Sequence, residues 1–167
     1  MDEDQARGIE WDCQKLVRQY YRHVDQREFD EACTLFTEDI DWYTMGVRLK
    51  GRDELRKALT PALGKGTIRH VVTNMVVKVV DEDHAESDFY HTIYFEPDSE
   101  FETHDGPIPF EGPHRTHDQH DWYVRTDDGW RIAKRVSHEV FRRNPDEPVS
   151  LETWASDAGK TGEAPSS

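Results

Sequence analysis

His70 carries the side chain best suited to take up and release a proton near neutral pH. It sits near the start of TIRHVVTNMVVKVV, residues 67–80, the longest β-branched run in the chain. Val, Ile and Thr stiffen χ1 and suit a pleated surface, so the run is a strand. Strict alternation places His70 on one face with Val72, Asn74 and Val76, and puts Val71 and Met75 on the other. On the concave face of a sheet, His70 points into a cavity walled by apolar groups. Asp25 ends an otherwise apolar row, Cys13, Val17, Tyr21, Asp25, stepping by four along a helix. Asp25 reads as a helix C-terminal or turn residue, although the dipole there disfavours a carboxylate and argues for another reason. Arg135 alternates with Ala133 and Ser137, small neighbours that leave room for a pocket. A guanidinium keeps its proton, so its part in any reaction is electrostatic.

Other histidines invite a metal reading. On one strand His114 and His120 face one way and His117 the other, so the three cannot hold one ion together. They read as surface histidines, and His117 shares its face with Gln119 and Tyr123. His70, His91 and Asp25 form a two-histidine, one-carboxylate alternative. His23, His84, His104 and His138 read as solvent-facing. The expectation is no metal and no cofactor.

The elements that position these residues follow from periodicity. Ile9, Cys13, Leu16, Val17, Tyr20, Tyr21 and Val24 recur at three and four, giving an amphipathic helix over residues 8–23. A short helix spans residues 28–36, with Phe29, Ala32, Cys33 and Phe36 inward. A strand over residues 40–45 carries Trp42 and Tyr43 and turns at Gly46. Gly51 and Asp53 open a third helix through Leu55, Leu59 and Leu63, bent or broken at Pro61. Long strands follow at residues 67–80, 85–95, 114–125 and 130–142, the last two joined by the Asp127-Asp128-Gly129 turn. Residues 97–113, rich in Pro and Gly, read as a loop. Helices first, then an antiparallel meander, is an α+β architecture in which the sheet and three N-terminal helices enclose one pocket. The domain is expected over residues 1–145. A polar tail follows at 146–167, with residues 161–167 disordered and Trp154 docked on a neighbour or capping the fold.

Bulk properties narrow the function classes. A chain of 167 residues with 35% hydrophobic and 11% aromatic residues can bury roughly two-thirds of its unfolded surface in one core. A net charge of −14 argues against nucleic acid or an anionic membrane as partner. Cys13 and Cys33 read as buried thiols, and no C-x-x-C is present. An acidic N-terminus without an apolar stretch, and no long apolar run, point to a cytoplasmic protein.

Over roughly residues 8–143 the chain resembles the NTF2-like, SnoaL-like family, through VDQREFDEACTLF, EDIDWYTMG, KGRDEL and DGWRIAKR. Within it the chain is similar to the branch containing scytalone dehydratase, hexachlorocyclohexane dehydrochlorinase and bile-acid 7α-dehydratase. In that branch an Asp at the end of the first helix pairs with a His on the first long strand. Asp25 in HVDQRE and His70 in TIRHVVTN stand at those positions. Arg135 in WRIAKRVS matches the branch's final-strand Arg, Tyr20 the bile-acid enzyme's Tyr, and Trp42 the dehydrochlorinase's pocket Trp. There are departures. Phe95 stands where scytalone dehydratase has a second His, with His91 four residues earlier on the same face. His117 and Gln119 replace a Ser and an Asn.

The resemblance implies a cofactor-independent lyase of dehydratase type acting on an alicyclic or polyketide-like small molecule. His70 would abstract the proton, Asp25 orient it, and Arg135 and Tyr20 stabilise the departing oxygen. Tyr21, Trp42, His91, Phe95, His117 and Gln119 would shape the pocket. An isomerase or cyclase using the same base is the nearest alternative. A non-catalytic subunit like the β subunit of ring-hydroxylating dioxygenases, or a plain ligand-binding module, is the other. A homo-oligomer, dimer or trimer, is also implied.

Overall fold

The computed structural model describes residues 1–62, 66–97, 99 and 106–144. The expectations for Leu63, His104, Trp154 and the tail at 146–167 lie outside the described residues.

Helix α1 runs Glu3–Asp25, starting earlier than the apolar periodicity implies. Asp2 explains this: its side chain accepts from the Gln5 backbone, and the Gln5 side chain returns a bond to the Asp2 N–H. The inward stripe Ile9, Cys13, Leu16, Val17, Tyr20, Tyr21 and Val24 is buried as expected, and Asp25 is buried with it. The chain then leaves the helix through Arg27, whose φ is 63°. Helix α2 is Phe29–Thr34 and α3 is Gly51–Ala62, so Pro61 falls in the last turn of α3.

Strand β1, Phe36–Thr44, is followed by a strand that the periodicity does not predict, β2, Val47–Lys50. A two-residue turn joins them, with Met45 at φ 45° and Gly46 at φ 82°. Two consecutive positive φ angles are what a tight hairpin of right-handed twist requires. Strands β3 (Thr67–Val79), β4 (His84–Glu96), β5 (Arg115–Thr126) and β6 (Gly129–Arg142) complete an open, six-stranded mixed sheet of order β2-β1-β6-β5-β4-β3. Only β1 and β6 pair in parallel; every other neighbour is antiparallel. The fold is α+β, with helices packed on a curved sheet.

The core between helices and sheet includes Val17, Phe36, Ile40, Leu55 and Ile132, all fully buried. Each is worth about 1.5–3 kcal/mol relative to exposure. The inner face of the sheet is also unusually polar. Three rows cross it: His91, His117 and Glu139; Gln119, Ser137 and Thr44; Ser87, Asp121, Arg135 and Trp42.

Two of the sheet's register shifts correct the strict alternation read from sequence. In β3 the pairing moves from Thr73↔Tyr90 to Val76↔Asp88, so two residues, Asn74 and Met75, stand opposite Phe89 alone. Asn74 takes φ 53°, a conformation that Asn tolerates better than most residues. The faces therefore exchange: Met75, Val77 and Val79 pack inward after His70 and Val72, while Asn74 and Val76 are exposed. In β6 the register slips between Trp122↔Lys134 and Tyr123↔Ile132, leaving Ala133 unpaired. Ile132, not Ala133, shares the buried face with Arg135.

No helix among the described residues is long and apolar enough to cross a membrane.

Candidate active site

Asp25 and His70 meet. The last residue of α1 places its carboxylate against the start of β3, where Oδ1 lies 2.7 Å from His70 Nδ1. Its other oxygen accepts the His70 backbone N–H at 3.1 Å. The carboxylate that the helix dipole disfavours is thus held by two hydrogen bonds from one residue. The side chains are 12% and 7% exposed, dry enough for the pair to hold its geometry. With the proton on Nδ1 directed at Asp25, Nε2 carries the lone pair; it makes no hydrogen bond among the described residues.

Tyr21 covers this imidazole, ring centroids 4.7 Å apart, and its hydroxyl meets His91 Nδ1 at 3.1 Å. His91 Nε2 in turn meets His117 Nδ1 at 3.0 Å. His91, rather than Phe95, lies beside the dyad, its ring 5.8 Å from that of His70. Phe95 packs on His114 with centroids 5.6 Å apart. His114, expected at the surface, is buried beside Phe95 and Arg115, because its backbone bonds Ile93 and Arg143 and its ring packs against Phe95. His117 is buried, and half-buried His120 pairs with Asp88 instead.

Burial holds both His91 and His117 below the usual histidine range, helped at His91 by nearby positive charge, and takes His117 to about 4 against the opposing pull of Glu139. Both are neutral at physiological pH. Burial also pushes the Tyr20 and Tyr21 hydroxyls well up, against the opposing charge of Arg135, so both stay protonated donors. Among the described residues no three His, Cys, Asp or Glu are arranged to hold a metal. His91 engages both ring nitrogens with protein, and Asp25 takes His70 Nδ1.

Arg135 is fully buried, with Asp121 bonded to it at both Nε (2.7 Å) and Nη2 (2.6 Å). Tyr20, Phe36, Trp42 and Tyr21 surround the guanidinium, their ring centroids 4.7–5.6 Å from Cζ. Burial works against its charge, but Asp121 outweighs that and keeps the group protonated. Nη1 is left without a hydrogen bond of good geometry. So is the buried Gln119 amide, although it lies near enough to His91 to act on its charge. Trp42 is fixed by Nε1 donating to Ser137 Oγ at 2.9 Å.

Sequence reasoning missed Asp121. Its position was available, since it alternates with Gln119 and Tyr123 on the face already assigned inward. Its partner was not, because the pairing to Arg135 depends on strand register. Tyr123 and Ser87 support the pair: Tyr123 Oη lies 3.2 Å from Asp121 Oδ2 and 2.7 Å from Ser87 Oγ. Glu139 was missed likewise.

The chain is similar to known proteins in sequence and in fold. An uncharacterized protein of Mycobacterium tuberculosis is 34% identical over 134 residues, covering 78% of this chain and 84% of that protein. The structure called "Putative Scytalone Dehydratase", from Novosphingobium aromaticivorans, superposes with a TM-score of 0.70 at 20% identity, covering 89% of this chain and 100% of that one. A type 2 hexachlorocyclohexane dehydrochlorinase superposes with a TM-score of 0.70 at 16% identity, covering 89% and 95%. The family model for the SnoaL-like domain matches residues 9–136. The chain belongs to the SnoaL-like domain family.

Proposed function

We propose that this chain is a cofactor-independent lyase that eliminates water, or another small HX, from an alicyclic or polyketide-like molecule. The observation that carries the reading is the Asp25–His70 dyad, with Nδ1 committed to the carboxylate and Nε2 open as a base. A histidine so oriented takes a proton from carbon, and the carboxylate stabilises the imidazolium that forms. The Arg135 Nη1 N–H, orphaned within an aromatic cage, is the donor left for oxygen on which negative charge develops. Tyr20 lies under the same guanidinium and supplies a protonated hydroxyl. Tyr21, Trp42, His91, His117, Gln119 and Phe95 bound the substrate. The names of the two structural neighbours, a dehydratase and a dehydrochlorinase, support elimination as the reaction class.

The test is a screen of alicyclic alcohols and β-hydroxy ketones read by product mass. Loss of water or HX supports elimination, and an unchanged mass supports isomerisation by the same base. Full activity in a folded His70→Ala variant would sink the mechanism.

The reading includes a homo-oligomer. Val71, Val76, Tyr90 and Phe141 stand exposed on the strands, and their burial between copies is tested by mass in solution.

A further inference from the structure

The strongest polar feature not used by the dyad is the line of groups leading away from it. Tyr21 Oη, His91 Nδ1 and Nε2, and His117 Nδ1 are joined by contacts of 3.1 and 3.0 Å. His117 Nε2, buried and without a hydrogen-bond partner, then faces Glu139 Oε2 at 3.6 Å, slightly beyond a hydrogen bond. His91 and His117 are nearly inaccessible, whereas the Glu139 side chain is 16% exposed. Glu139 is fixed as a carboxylate by Arg115 and Arg142, whose charges draw it below the usual range against the opposing effect of burial. Cross-strand register keeps the line straight, since His91 pairs with His117 and His117 with Glu139.

The anion at the far end decides the proton order. His117 offers Nε2–H to Glu139, so Nδ1 accepts from His91 Nε2–H, and His91 Nδ1 accepts the Tyr21 hydroxyl. Both hydrogen-bonded links then have one donor and one acceptor pointing outward, and the last step crosses the 3.6 Å gap from His117 Nε2 to Glu139. We propose that Tyr21, His91, His117 and Glu139 form a proton conduit that carries a proton from the buried site to the half-buried carboxylate.

A proton released from His70 Nε2 to the hydroxyl of Tyr21, whose ring lies on the imidazole, displaces that hydroxyl's own proton to His91 Nδ1. His91 passes its Nε2 proton to His117 Nδ1, and His117 passes its Nε2 proton to Glu139. One proton has left the site, both histidines remain neutral in the opposite tautomer, and no charge is stranded. The inference rests on the elimination reading for the proton's origin. It also refines that reading: hydroxide leaves with the abstracted proton as water, whereas a leaving group that departs as a stable anion leaves a proton to be exported.

Nitrogen NMR of the imidazole tautomers tests the conduit without any substrate. The expected result is a proton on Nε2 of both His91 and His117 at neutral pH, with His117 nitrogen shifts that move in Tyr21→Phe, two links away. A proton on Nδ1 of either ring, or a His117 indifferent to Tyr21, overturns it. With a substrate that loses halide, Glu139→Gln should slow steady turnover about 10²-fold while sparing the first turnover, added imidazole should restore it, and turnover of a substrate that loses water should be unchanged. A defect that imidazole does not restore also overturns the conduit. If the screen yields no elimination, that counts against the lyase reading, and the tautomers alone decide the conduit.

Discussion

Asp25 binds His70 twice, through Oδ1 to the ring at 2.7 Å and through Oδ2 to the backbone N–H at 3.1 Å. The carboxylate therefore sets the orientation of the ring and the position of its Cα together. Asp25→Asn keeps the shape but offers an amide where an acceptor is needed, which favours the wrong tautomer. The downfield proton resonance of His70 Nδ1–H should vanish, and elimination should fall by up to ~10⁴-fold. An Asp25→Asn protein that retains both is incompatible with the dyad.

Arg135 and Asp121 are both fully buried, and each has the other as its charge partner. Asp121→Ala strands a guanidinium in the core and should cost about 3–5 kcal/mol in urea unfolding. Replacing both charges, Asp121→Leu with Arg135→Met, should recover most of that stability, since a buried pair contributes little net over apolar packing. It should not recover activity. A double variant that is stable and active would reduce Arg135 to a structural role.

Much of this arrangement was legible because it rests on simple periods. The stepping of Cys13, Val17, Tyr21 and Asp25 already put the carboxylate on the buried side of α1, and the β-branched run marked β3. What alternation could not give was the sites where it breaks. A bulge changes the inward set with one backbone angle, and Asn74 looks in sequence like any polar strand residue. The β2 strand has only Val47 and Leu49 to announce it, too few to show a period. His114 was misread because its burial comes from Phe95 and Arg115 on contacts that no local pattern encodes. The Arg135 side chain is buried, and the acid that neutralises it becomes visible only with the β5–β6 register.

The buried histidines make an acid-sensitive fold. In the unfolded chain His117 titrates near 6.5, but burial lowers it to about 4 in the fold. Between those values the unfolded state binds a proton that the native state refuses, so stability is full above pH 6.5 and falls as pH drops toward 4. His117 alone accounts for roughly 3 kcal/mol of that loss, and His91, also lowered by burial, adds in the same direction. Urea midpoints measured across this window should fall steeply, and less so in His117→Gln. A midpoint independent of pH here would mean that the two rings take up protons inside the fold.

The bulge at Asn74 gives a separate handle on the faces of β3. Its φ of 53° is a conformation that a β-branched residue cannot adopt cheaply. Asn74→Val, which restores an unbroken β-branched run, should therefore destabilise by about 1–2 kcal/mol. Asn74→Gly should be close to neutral, because glycine enters this region without a Cβ penalty. The Val variant also gains by slipping register, which would turn Met75 and Val77 outward while leaving His70 and Asp25 paired. Urea midpoints give the energies, and hydrogen exchange along β3 reports the slip. If Asn74→Val proves as stable as the parent with the same exchange pattern, strain at the bulge is not what divides the strand into its two inward sets.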